Sequence, residues 1–351
     1  MERAHHHVFF SRVPNFKPEM LNSLLAARDI FEYWAHAAAV LPIDDFRFSL
    51  PYKQAIKRGQ KHWYKTPDKK LMAELLDRIA CDGPIRSRDI KANTSARTGW
   101  WDWKPAKQAL EQLYMEGDIM VSKREGFQKV YDLTERVLPS DLNVTLPTNS
   151  EFAEHLLEQQ LRCHGLASLK GMTYLRKNTE LRQKLELLVN ESLTQGTLEQ
   201  VRLADGEIFI LEAGAFERPL PKLSHRLMIL SPFDNSLIQR DRLRSLFHFD
   251  YQLECYLPAV KRQFGYFSLP ILYRGEFIAR MDTKVHRKTT CLEIKSLHFE
   301  KHRFDEALVL VAFTKAIKLF CSFQQCDCVS LTSVYPKRLT QGLRAALKCL
   351  E

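Results

Sequence analysis

Residues 105–133 read PAKQALEQLYMEGDIMVSKREGFQKVYDL, and this stretch decides the fold. Pro105 suits the first position of a helix, where its missing N–H goes unused. Ala109, Leu110, Leu113 and Tyr114 recur at helical spacing, and Glu116-Gly117 closes the run. Two strands follow, Ile119–Val121 and Lys129–Leu133, around a tip of Lys123-Arg124-Glu125-Gly126-Phe127. Upstream, Leu71, Leu75, Leu76 and Ile79 mark a helix that stops at Cys81-Asp82-Gly83-Pro84, and Arg86–Ile90 opens a short second one. Three helices and a hairpin with a basic tip predict a winged helix, a helix-turn-helix variant, over residues 67–139.

Pro139–Pro147 reads as a linker, after which the element order returns over residues 148–215. Helices are predicted over Glu151–Leu161, from Leu166, and over Leu181–Leu193, followed by strands at Thr197–Leu203 and Glu207–Leu211 around Ala204-Asp205-Gly206. The texture changes over residues 226–351. Gly265–Tyr273, Glu276–Asp282 and Thr290–Phe299 read as antiparallel strands. They are followed by an apolar helix over Phe304–Phe323, a strand at Val329–Ser333 and a helix from Thr340 to Leu350. Residues 1–66 read as a partial winged helix, with helices over Met1–Arg12 and Pro18–Arg28, an apolar and aromatic Phe31–Val40, and helix from Asp44 to about Lys61. The predicted class is α+β: tandem winged helix-turn-helix domains and a C-terminal α+β unit with an antiparallel sheet.

Composition narrows the function. Over 351 residues, Lys+Arg 52 against Asp+Glu 42 leaves +10, a surplus that favours a polyanionic partner. The hydrophobic share of 45% and 13 Gly exclude collagen-like and low-complexity disordered chains. Ala307–Phe313 is too short to cross a bilayer, no signal-peptide pattern follows Met1, and eight Cys without a CxxC pair are too sparse for a disulfide scaffold. The expectation is a reduced, soluble, cytoplasmic protein. Phosphate-cradling GxxxxGK[ST] and GxGxxG motifs are absent from the sequence, so no nucleotide cofactor is expected.

The richest basic cluster is Lys53, Lys57, Arg58, Lys61, Lys65, Lys69 and Lys70, interleaved with His62, Trp63 and Tyr64. Cations neutralise phosphates and aromatic rings pack on sugars or bases, although a solvated helix face gives the same pattern. Trp101, Lys104 and Lys107 lie at the entry of the third helix, the one a helix-turn-helix offers to a groove, and Lys123 and Arg124 on the wing tip favour backbone contact. The tryptophans Trp100, Trp101 and Trp103 can equally pack between domains. Glu32-Tyr33-Trp34-Ala35-His36 combines a carboxylate, an indole and an imidazole, and is read either as pocket lining or as packing. Three adjacent imidazoles, His5-His6-His7, point in different directions on a helix, so a metal site is not expected. Cys321, Cys326 and Cys328 are read as core, and Ser231-Pro232-Phe233-Asp234 as a turn or cap.

Together these stretches resemble the YcaQ/AlkZ-like winged-helix DNA glycosylase family, in particular its YcaQ branch. The matching segments are Glu2–Arg12, Phe31–His36 through Pro42, Gly99–Pro105, Val130–Thr134, Leu230–Asp234, Leu253–Tyr256, Arg262–Phe267 and Arg280–Asp282. The resemblance implies a concave basic cradle for duplex DNA and excision of alkylated bases, including the unhooking of interstrand crosslinks. On that basis His5, His6, Glu32, Tyr33, Trp34 and His36 are pocket candidates. Lys53, Lys57, Arg58, Lys61, Trp101, Lys104, Lys107, Lys123 and Arg124 are DNA-contact candidates.

One motif departs from the family pattern. The family's catalytic Gln-hydrophobic-Gln/Asp is expected just ahead of the segment matching Glu2-Arg3-Ala4, and no Gln-hydrophobic-Asp occurs in the first sixty residues. The expectation is an amino-terminally truncated member that binds alkylated duplex and releases base very slowly, with the apolar face of Val8, Phe9 and Phe10 exposed. Its chemistry would need one carboxylate to stabilise an oxocarbenium-like sugar and orient a water, because an alkylated purine already carries positive charge. The alternative is a non-catalytic winged-helix DNA-binding protein, either regulator or decayed remnant. A symmetric regulator would need a dimerising helix, and no heptad is visible, so a monomer is expected.

Overall fold

Gly117, with φ of +88°, ends the helix Pro105–Glu116 in a conformation that side chains avoid, and the chain turns into the strand Ile119–Glu125. That strand pairs antiparallel with Gln128–Leu133, which pairs on its other edge with Ile85–Arg86. The computed structural model describes residues 3–90, 105–300 and 304–348. Trp101 and Lys104 therefore lie outside the described residues. Contacts divide the chain into two units: Lys17–Gln159 with Thr173–Asn190, and Met1–Phe16 with Gln160–Met172 and Glu191–Glu351.

In the Lys17–Gln159 unit, one core joins Leu25, Phe31, Tyr33, Phe46 and Ile56 to Met72, Ile79, Leu110, Leu113, Ile119 and Tyr131. The stretch Phe31–Val40 is a hairpin, Ile30–Trp34 against Ala38–Pro42, with Glu32 opposite Val40. A 3-10 turn, Ile43–Ser49, precedes the helix Leu50–Lys57, so the predicted continuous helix from Asp44 is split. The Tyr33 hydroxyl donates to the Met115 carbonyl at 2.6 Å, tying this hairpin to the helix Pro105–Glu116.

The other unit is built on a five-stranded sheet in the order Cys328–Tyr335, Cys291–Phe299, Glu276–His286, Ser268–Tyr273, Met228–Ile229. Its pairs are antiparallel except the first, which is parallel. A parallel pair needs a crossover, and the helix Glu306–Gln324 supplies it while burying Val309, Phe313, Ile317 and Phe320 in the core. Register places Cys291 opposite Cys328, and the two form a disulfide rather than free core thiols. A three-stranded antiparallel sheet, Leu166–Ala167, Ile208–Glu212 and Leu198–Arg202, belongs to the same unit. Helices with largely antiparallel sheets make the α+β class.

The amino-terminal helix Ala4–Arg12 corrects one expectation. Phe10 stacks on Phe323 at 4.3 Å and packs against the large core, and Phe9 stacks on Phe16 at 5.7 Å. The apolar face of this helix is covered, not open to solvent. No helix of the described residues is long and apolar enough to cross a membrane.

Candidate functional site

The residues singled out from sequence fall into both units. His5 and His6 belong to one, and Glu32, Tyr33, Trp34 and His36 to the other. Tyr33 is core, its hydroxyl spent on Met115. Trp34 meets Trp63 edge-on at 4.9 Å, and His36 sits on the exposed hairpin turn. Glu32 is buried and forms an ion pair with Arg124: Nε donates to Oε1 at 2.7 Å and Nη2 to Oε2. Arg124 also donates to the Phe127 carbonyl at 2.8 Å. A pocket candidate and a DNA-contact candidate thus neutralise one another, which removes Arg124 from the set of cations open to phosphate.

Lys53 is corrected more sharply. Although it belongs to the basic cluster in sequence, its side chain is 3% exposed. Its Nζ lies 3.8 Å from the Phe46 ring centroid, 4.5 Å from Tyr33 and 5.6 Å from Phe31, and has no hydrogen-bond partner. Burial pushes its pKa down to about 7. A Cβ on Gly117 would come within 2.8 Å of Lys53 Cδ, so the same glycine that ends the helix also makes room for this lysine.

The rest of the cluster faces solvent. Arg58, Lys61, Lys65 and Lys70 are exposed, with Lys61 Nζ 4.6 Å over Tyr52. Lys57 is exposed but paired with Asp118, and Lys69 lies 3.5 Å from Glu116. Lys107 is exposed on the first turn of its helix. At the tip of the hairpin Ile119–Leu133, Glu125 pairs with Arg86, with Lys123 at 3.3 Å and with Arg88 at 3.5 Å, so one acid faces three cations.

In the sheet-bearing unit the three adjacent histidines diverge. Arg3 donates to His6 Nε2 at 3.0 Å, whereas His7 Nε2 donates to the Ile229 carbonyl at 2.9 Å. Burial pulls the His7 pKa down to about 4. Among the described residues no three His, Cys, Asp or Glu side chains converge as metal ligands.

Asp234, expected from sequence as a turn or cap, is also a buried ion-pair partner. Its Oδ1 caps the helix Asn235–Ile238 through Ser236 N at 2.9 Å, accepts from Ser236 Oγ at 2.6 Å, and pairs with Arg12. The side chain is wholly buried, and Oδ2 has no partner. Burial and the cations Arg242 and Arg12 push the nearby His164 down to about 4, so it stays neutral at physiological pH. The free Oδ2 is an acceptor able to take a hydrogen bond from a water. Arg12 and Asp234 are 222 residues apart, so no local pattern could have paired them.

The segments Leu253–Tyr256, Arg262–Phe267 and Arg280–Asp282 interlock around one loop. Glu254, buried, accepts from Gln263 N at 2.9 and 3.0 Å, Phe264 N at 2.8 Å and Gly265 N at 3.1 Å. Asp282 accepts from Tyr266 N at 3.0 Å and Phe267 N at 3.1 Å. Arg280 pairs with Glu300 at 2.6 Å and lies 4.0 Å from the Phe264 ring centroid. Gly265, at φ +129°, leaves no room for a Cβ, which would lie 2.3 Å from Asp282 Oδ2. Gly265→Ala is expected to destabilise the protein by about 2–3 kcal/mol, read as a lower denaturation midpoint; an unchanged midpoint contradicts the packing described.

Comparison with known proteins places this fold among DNA glycosylases. The structure of the Streptomyces sahachiroi DNA glycosylase AlkZ is similar, with a TM-score of 0.53 at 14% identity, covering 91% of this chain and 85% of that one. The DNA glycosylase AlkZ-like family profile matches residues 1–318. The chain belongs to the AlkZ-like DNA glycosylase family.

Proposed function

We propose that this protein binds duplex DNA and hydrolyses the N-glycosidic bond of alkylated or interstrand-crosslinked bases, working as a monomer in the cytoplasm and associated with the nucleoid when bound to DNA. The observation that carries the reading is the family match over residues 1–318. Residues 67–139 and 148–215 would be tandem winged helices, with 1–66 a partial third and 226–351 the α+β domain. Contact to phosphate is assigned to Arg58, Lys61, Lys107 and Lys123, with the exposed Lys65 and Lys70 beside them. Trp101 and Lys104 keep their place as candidates from sequence alone.

Binding of this kind is dominated by phosphate neutralisation, so affinity should fall steeply with salt and differ little between sequences. Arg58→Ala with Lys61→Ala and Lys65→Ala is expected to flatten the slope of log affinity against log salt by about 2–3. A slope unchanged in the triple variant rules out this face, and a strong preference for one palindrome favours a regulator.

Catalysis is tested by release of alkylated purine from duplex. Base release well above the uncatalysed rate is expected, and an alkylated duplex bound without release contradicts the glycosylase reading. Rapid release that Asp234→Asn abolishes would move the catalytic role to Asp234. Binding without release favours the second reading, a DNA-binding protein without catalysis.

A further inference from the structure

We infer that the loop of residues 255–267 is a stacking surface that inserts its tyrosine rings against bases exposed in locally opened duplex DNA. The inference rests on the DNA-acting reading above and adds to it a place and a contact chemistry. Tyr256 is 81% exposed, Val260 92% and Tyr266 53%. Rings so exposed on a floppy segment would call for no explanation, but this segment is fixed. Five successive N–H groups, from Gln263 to Phe267, donate to the buried carboxylates of Glu254 and Asp282. The Arg262 Nε adds bonds to the carbonyls of Glu254, at 3.2 Å, and Leu257, at 3.0 Å. The loop is held from below while Tyr256, Val260 and Tyr266 stay exposed, so rigidity serves presentation.

The chemistry of the occupant follows from what the loop shows. Between Cys255 and Phe267 the sequence, CYLPAVKRQFGYF, contains Lys261 and Arg262 and no acid. The two carboxylates beneath are buried and held by backbone donors, so the exposed face presents rings and the cations of Lys261 and Arg262. The Arg262 guanidinium lies 4.9 Å from the Tyr266 ring centroid, pairing a cation with a stacking platform. The backbone donors of residues 263–267 are spent on Glu254 and Asp282, so that stretch is not a nest for a phosphate and contact runs through the side chains. Aromatic rings edged by cations on a rigid frame match unstacked bases flanked by phosphates.

The test compares binding of the full chain to an intact duplex and to the same duplex carrying one tetrahydrofuran abasic position, which leaves the opposite base unstacked. The wild type is expected to bind the abasic duplex more tightly. Y256A/Y266A should lose that preference by about tenfold per stacking ring while binding intact duplex within about twofold of wild type. Y256F/Y266F, which keeps the rings, should retain the preference. Both tyrosines are exposed, and an unchanged thermal melt verifies that the variants fold. Full preference in the alanine variant overturns the inference and leaves the rings to another partner, such as a protein. Equal loss on both duplexes overturns it in favour of a plain phosphate contact. Wild-type protein that binds neither duplex overturns the DNA-acting reading itself, a result separate from the other two.

Discussion

Lys53→Met should stabilise the protein by about 3–4 kcal/mol at pH 7 and remove a pH dependence that the wild type shows between neutral and alkaline conditions. The native Lys53 pKa is pushed from 10.5 to about 7 by burial. A fall of that size corresponds to about 4–5 kcal/mol between the two protonation states, of which the three surrounding rings return about 1 kcal/mol. The sign follows from proton binding. Below pH 10.5 the unfolded chain protonates this lysine while the native state resists, so the unfolded state binds more protons. Wild-type stability should therefore rise with pH from about 7 to about 10.5, with this contribution flat below 7. Methionine matches the stem's length, fills the Phe31–Tyr33–Phe46 cage and leaves no unpartnered ammonium. Denaturation of both proteins at pH 6, 8 and 10 measures the difference. It should be largest at pH 6 and nearly closed at pH 10; a constant or growing difference would refute the account.

Lys53 also marks where sequence reading reaches its limit. Lys53 and Lys57 are four residues apart in the helix Leu50–Lys57, which puts both on one side and invites the inference of a common solvated face. What buries Lys53 is a cage contributed by a strand and a 3-10 turn, and no window of sequence contains it. By contrast, the helix Pro105–Glu116 and the strands after it were legible, because apolar periodicity and a glycine stop are local signals. The hairpin Ile30–Pro42 was not, since its turn at Ala35-His36-Ala37 lacks the Asn-Gly or Gly-Gly chemistry that announces one. The parallel pairing of Cys291–Phe299 with Cys328–Tyr335 was equally hidden, because a short apolar run reads the same in either direction. For the candidate site, the stretches resembling the family name single residues, yet the partners Arg12 with Asp234 and Glu32 with Arg124 are created only by tertiary packing.

The Glu32–Arg124 pair yields the second large effect, with an asymmetry that distinguishes it from a surface salt bridge. Both side chains are nearly buried, at 10% and 11% exposure, and a buried pair that loses one member leaves an uncompensated charge costing about 3–5 kcal/mol. The two single losses should not be equal here. Lys129 stands close by, 3.9 Å from the Tyr114 ring centroid, its pKa pulled down to about 8 by burial, with Glu32 pushing upward and Arg124 downward. In Arg124→Leu, Lys129 remains to offset the Glu32 carboxylate, so the loss should fall near the low end, about 2–3 kcal/mol. In Glu32→Leu, Arg124 and Lys129 face each other with nothing between them, and the loss should reach about 4–5 kcal/mol. The double variant Glu32→Leu/Arg124→Leu should be more stable than Glu32→Leu alone, since it removes the stranded guanidinium, giving a coupling of at least about 2 kcal/mol in the cycle. Equilibrium denaturation of the four proteins at pH 7 supplies the comparison. Equal single losses, or a double variant no better than Glu32→Leu, would mean that Arg124 reaches solvent once its partner is gone, and would return it to the cations available for DNA.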